Sequence, residues 1–75
     1  MIYRNYTIAA AVNAYQEWEV LENGLVVEPL GGHSSDVEVC GYNVYDTESQ
    51  WVEFAEGDHL EDAKLIVDTD LLRRA

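Results

Sequence analysis

Only the last quarter of the chain, from Gly57 onward, repeats its apolar residues at helical spacing. Everything before it alternates with a period of two or breaks into turns. One helix covers one face of a sheet, so the other face must meet water or a partner. The expected fold is therefore α+β: an antiparallel sheet of four to five strands with one C-terminal helix packed on one face. At 75 residues this is one domain, 1–75, with a thin core.

The first expected strand runs over residues 2–12. Ile2, Tyr6, Ile8, Ala10 and Val12 share its inner face, and Tyr3, Asn5 and Thr7 the outer one, with Arg4 as an exception among the apolar residues. The alanines weaken the strand pattern, because alanine favours helix. Asn13-Ala14-Tyr15 would turn the chain. Asn23-Gly24 lies between two apolar runs, a strong hairpin signal. A two-residue loop there pairs Leu21 with Val26, Val20 with Val27 and Glu19 with Glu28. It puts Trp18 and Val20 inside, Glu17 and Glu19 outside. Pro29 to Asp36 reads as a loop.

Residues 37–45 form the next expected strand. Cys40, Tyr42 and Val44 point inward; Val39, Gly41, Asn43 and Tyr45 point outward. Asp46 to Ser49 is a turn by composition. In the last strand Val52 and Phe54 face inward, Trp51 and Glu53 outward. Asp58 with Glu61 three residues later has a capping-box spacing, opening a helix whose stripe is Leu60, Ala63, Ile66 or Val67, and Leu71. Arg73 and Arg74 complement the negative end of its dipole.

Fifteen acidic residues against four basic ones give a net charge of −11. Phosphate backbones are repelled by such a surface, which argues against direct nucleic-acid binding. No apolar run reaches membrane-span length, no leader is visible, and the lone Cys40 suits a reducing compartment. The expectation is a cytoplasmic protein without a membrane partner.

The open face should carry the function. Glu17, Glu19, Glu28, Tyr45, Trp51 and Glu53 form the expected partner-binding set: carboxylates that steer a cationic partner, and aromatic anchors of large area. The partner would be a basic protein, in particular a nucleic-acid-binding protein or complex. The alternative is a homo-oligomeric structural or adaptor module whose acidity only serves solubility. A monomer is favoured, and a dimer is possible.

Catalysis is not expected. His33, Ser34, Ser35 and Asp36 crowd one loop, whereas a triad needs a rigid scaffold. His59 stands at the helix start. Cys40 reads as a buried structural thiol. No zinc spacing is present, and Asp68-Thr69-Asp70 lacks the glycine and terminal glutamate of a calcium loop. No cofactor, metal ligand or catalytic residue is assigned.

Tyr3-Arg4-Asn5-Tyr6-Thr7-Ile8, Trp18-Glu19-Val20, Asn23-Gly24, Gly41-Tyr42-Asn43-Val44 and Leu60-Glu61-Asp62-Ala63-Lys64 resemble small sheet-plus-helix modules of phages and mobile elements. In size, acidity and coarse architecture the chain is similar to anti-CRISPR proteins. That resemblance implies an inhibitor that blocks the nucleic-acid-recognising surface of its target, as a possible nucleic-acid mimic. It carries over no individual residue.

Overall fold

The N-terminal alternation breaks at Arg4 and Asn5. Both residues have positive φ, 50° and 70°, and the pairing of Tyr3 with Tyr6 closes a two-residue hairpin over them. Positive φ at both central positions is what a type I′ turn requires. The expected single strand over 2–12 is thus two, β1 (Ile2–Tyr3) and β2 (Tyr6–Val12). The computed structural model describes residues 1–13, 17–22, 24–31 and 37–75. Ala14 and Tyr15 of the expected Asn13-Ala14-Tyr15 turn, Asn23, and the loop residues Gly32, His33, Ser34, Ser35 and Asp36 lie outside the described residues.

The remaining elements are β3 (Glu19–Val20), β4 (Val26–Pro29), β5 (Val39–Tyr45), β6 (Trp51–Glu56) and α1 (Leu60–Arg74). The strands form one sheet in the order β3-β4-β2-β5-β6, with β1 also paired to β2. The fold is α+β, mostly antiparallel, with the C-terminal helix packed against the sheet. One pair departs from the expected antiparallel pattern: β4 runs parallel to β2. After β2 the chain reaches the sheet edge at β3, and the β3–β4 hairpin then returns beside β2 in the same direction.

Strand β2 is central and is buried on both faces, which explains how three consecutive alanines sit in a strand. Ala9, Ala10 and Ala11 are all fully buried. Packing overrides the weak strand preference of alanine. Beneath the helix lie Tyr6, Ile8, Ala10 and Val12 of β2, Val27 of β4, Tyr42 and Val44 of β5 and Ala55 of β6, packed with Ala63 and Val67 of α1. Leu60, Ile66 and Leu71 close the rim, so the expected helical stripe is the buried one. Fully burying each large aliphatic of this set stabilises by roughly 1.5–3 kcal/mol.

The Arg4–Asn5 turn swaps Ile2 onto the open face and Tyr3 onto the helix side, opposite to expectation, and three further local features redirect side chains from their expected faces. The β3–β4 connection has three residues between its last bonded pair: the Leu21 amide donates to the Leu25 carbonyl at 2.9 Å, and the Gly24 amide to the Leu21 carbonyl at 2.9 Å. Gly24 takes φ of 84°, the left-handed position that such loops give to glycine. Glu19 therefore pairs with Val27 and Val20 with Val26, one residue off the expected register. A one-residue slip turns every side chain of the strand over. Trp18 and Val20 are consequently exposed instead of inside, and Glu19 does not face Glu28.

A bulge in β5 is the second. Ala11 pairs with Gly41 but Val12 with Val39, so Cys40 is the extra residue. Cys40 is exposed and free, not buried, and Val39 takes its place against the core. A bulge in β6 is the third. Val44 pairs with Glu53 and Tyr45 with Trp51, so Val52 is extra. Val52 still packs inward, but Phe54 now lies on the open face.

The helix is bolted to the sheet by ionic contacts. Arg4 bonds Asp68 at 2.7 Å, and the Tyr3 hydroxyl also reaches Asp68, so Tyr3 belongs to the helix side and not the open face. Lys64 lies over the Tyr3 ring at 5.5 Å. At the C-terminal end, Arg74 bridges Asp70 at 2.7 Å and Asp46 at 2.9 Å, and the Tyr6 hydroxyl donates to Asp70 at 2.5 Å. At the other end, Asp58 does not cap the helix. His59 is the N-cap, with no side-chain cap bond, and Asp58 accepts from the Tyr42 hydroxyl at 2.6 Å. Among the described residues, no helix is long and apolar enough to cross a membrane.

Candidate functional site: the uncovered sheet face

The pairings place Thr7, Ala9 and Ala11 of β2 along the middle of the face opposite the helix. Val26 and Glu28 of β4 flank them on one side, Gly41, Asn43 and Tyr45 of β5 on the other. Strands β4 and β5 are separated by β2 and so lie about 9.6 Å apart, twice the usual strand spacing. The alanines between them leave room for side chains to meet overhead. One Glu28 oxygen accepts from Asn43 Nδ2 at 2.6 Å, and the other accepts from the Tyr45 hydroxyl. Asn43 Oδ1 in turn accepts from Trp51 Nε1 at 2.9 Å. A hydrogen-bonded chain thus runs Tyr45–Glu28–Asn43–Trp51 across β4, β5 and β6.

This network fixes two aromatic rings and one carboxylate without immobilising them at the moment of binding. Burial, then the bond to Glu28, pushes the Tyr45 phenol up to about 12, so it stays protonated and remains a donor at neutral pH. Trp18 leans on Tyr45, with ring centroids 6.4 Å apart and planes tilted by 58°. Trp18 and Tyr45, with Thr7 and Ser49, line a cleft of about 230 Å³.

Along β6, Phe54 lies over Gly41. A side chain at position 41 would stand 2.2 Å from the Phe54 ring and 2.5 Å from the Ala55 carbonyl, so the ring occupies the space that glycine leaves. Glu56, paired with Gly41, shares this face. Large apolar side chains are exposed here: Ile2, Trp18, Val20, Trp51 and Phe54. Exposed apolar side chains gathered on one sheet face are a feature of interaction surfaces.

Of the six expected contact residues, Glu28, Tyr45 and Trp51 are brought together on this face. Glu19 and Glu53 are not. Their partners Val27 and Val44 point into the core, so both glutamates lie on the helix side, exposed at its margins. Glu17 is exposed next to Trp18, outside any strand. The residues missed are Trp18, Phe54 and Glu56, with Asn43 as the connector. A glycine at 41, diagonal to Phe54 on the neighbouring strand, was the one available signal for Phe54.

All four cationic residues stand elsewhere: Arg4, Lys64, Arg73 and Arg74 are engaged at the helix and the β1–β2 turn. Asp46, Asp68 and Asp70 take up the three arginines, Lys64 lies over the Tyr3 ring, and among the described residues no other carboxylate has an ion-pair partner. Among the described residues no three His, Cys, Asp or Glu side chains converge as a metal site requires. No protein-family model, curated protein or solved structure matches the chain.

Proposed function

We propose that the protein is a small acidic binding module that uses its uncovered sheet face to occupy a basic, nucleic-acid-binding surface of another protein. It acts there as an inhibitor by exclusion, of the kind its resemblance to anti-CRISPR proteins implies. The observation that carries this reading is the pairing of exposed Trp18, Trp51 and Phe54 with the fixed Glu28 carboxylate on a face that holds no Lys or Arg. Aromatic anchors supply contact area, and a net charge of −11 steers a cationic partner and repels nucleic acid.

Self-association through the sheet is less well supported. Of the two edge strands, β3 has only two residues and β6 carries Glu53, Glu56 and a bulge, all of which work against strand pairing between copies. Two copies of the open face would also bring like charges together.

The test is capture from the lysate of the native host on the tagged chain, at low and high salt. The expected result is a basic nucleic-acid-binding protein, retained at low salt and displaced by added duplex DNA or RNA. Trp51→Ala should weaken its retention about tenfold or more, as loss of a central aromatic anchor does. Undiminished retention by Trp51→Ala, or partners indifferent to nucleic acid, would overturn the reading.

A further inference from the structure

The cleft between Trp18 and Tyr45 has a shape and a chemistry that select among cations. Its volume of about 230 Å³ falls short of the ~300–1,000 Å³ of a small-molecule pocket and suits one long side chain. Two aromatic side chains line it, Trp18 and Tyr45, with ring planes inclined at 58° and centroids 6.4 Å apart. Thr7 and Ser49 supply hydroxyls that accept hydrogen bonds. No cation lines it. Glu28, accepting from the Tyr45 hydroxyl, places a carboxylate at the hydroxyl end of that ring.

We infer that this cleft receives an arginine side chain of the partner, stacked on Trp18 and Tyr45; this rests on the binding reading above and names the residue that the face recognises. A guanidinium is planar and weakly hydrated, so it stacks on an exposed aromatic ring and gives up little water in doing so. Its N–H groups fan outward in a plane, toward the hydroxyls of Thr7 and Ser49. A lysine ammonium is compact and strongly hydrated and loses more on entering the same space. Charge alone does not separate the two cations; the ring pair does. Trp18 is 57% exposed, so its ring is accessible to an incoming chain.

The test titrates the full chain with two blocked peptides of equal charge, tetra-arginine and tetra-lysine. The readout is the indole N–H resonance of Trp18 in ¹⁵N-labelled protein. The chain has two tryptophans, and Trp18→Leu identifies which resonance is which. The expected result is movement of the Trp18 resonance, half-saturated by tetra-arginine at a concentration about fivefold or more below that for tetra-lysine. Trp18→Leu, which keeps an apolar side chain without a ring, should erase the preference, and Trp18→Phe should retain part of it. Equal titration by the two peptides, an unmoved Trp18 resonance, or a preference that survives Trp18→Leu would each overturn the inference. Capture of a basic partner without arginine preference removes the inference and leaves the binding reading standing. An arginine preference without any captured partner does the reverse.

Discussion

Alanine at positions 9 and 11 decides what the open face can be. Side chains of this size let Glu28 reach Asn43 and Tyr45 across an intervening strand, and the reach in turn buries both alanines completely. Ala9→Val is therefore expected to destabilise the protein by about 1–3 kcal/mol through overpacking, although valine has the better strand propensity. The urea midpoint measures it, and an unchanged or raised midpoint would mean that the network above Ala9 yields easily. The residue scale is also where sequence reading lost most. Arg4-Asn5 contains no glycine, so its turn with two positive φ values carried no recognisable signal, and the apparent misplacement of Arg4 among apolar neighbours was its trace. The outward Asn43 and Tyr45 and the inward Tyr42 and Val44 were legible because the alternation from 41 to 45 meets no bulge.

At the scale of elements, the helix and its buried stripe followed from spacing, but its ionic fastening did not. Asp70 looks like any surface acid in the sequence, yet it is buried against Tyr6 and Arg74. The Tyr6 hydroxyl first, and Arg74 with it, hold the Asp70 carboxyl below its usual range. The Gln50 and Glu48 amides and Arg74 do the same for Asp46. Both groups have depressed values when folded, so their contribution is present above the ordinary 3.8 and is lost as pH falls through the folded values. The urea midpoint of the wild type should exceed that of Asp70→Asn by a margin that is constant near neutrality and shrinks below about pH 4. Taking the difference removes the general relief of self-repulsion that acid brings to a chain of net charge −11. A margin independent of pH would contradict the ionic fastening. Strand faces were lost at this scale for one reason: period-two alternation assigns a face only until a loop length or bulge shifts it. One extra loop residue at 22–24, and one extra strand residue each at Cys40 and Val52, moved Trp18, Cys40, Phe54, Glu19 and Glu53.

Over the whole molecule, positive charge is segregated from the open face. The cations fasten the helix, so they are spent on the side away from the open face, where the aromatic groups and Glu28 are presented. The fold class and the existence of an uncovered face were legible from the single helical segment; the membership of that face was not, because it depends on register. Two glutamates of β6 separate the faces with minimal disturbance. Glu56 pairs with Gly41 on the open face, and Glu53 pairs with Val44 on the helix side; both are exposed. Glu56→Lys and Glu53→Lys change the net charge equally and sit three residues apart on one strand. The decisive measurement compares the retention of the basic protein captured by the wild type on these two variants, at one salt concentration. Loss of retention with Glu56→Lys and near wild-type retention with Glu53→Lys is the predicted result. Equal loss in both would reduce the interaction to net charge, and loss with Glu53→Lys alone would move the binding surface to the helix side and contradict the account.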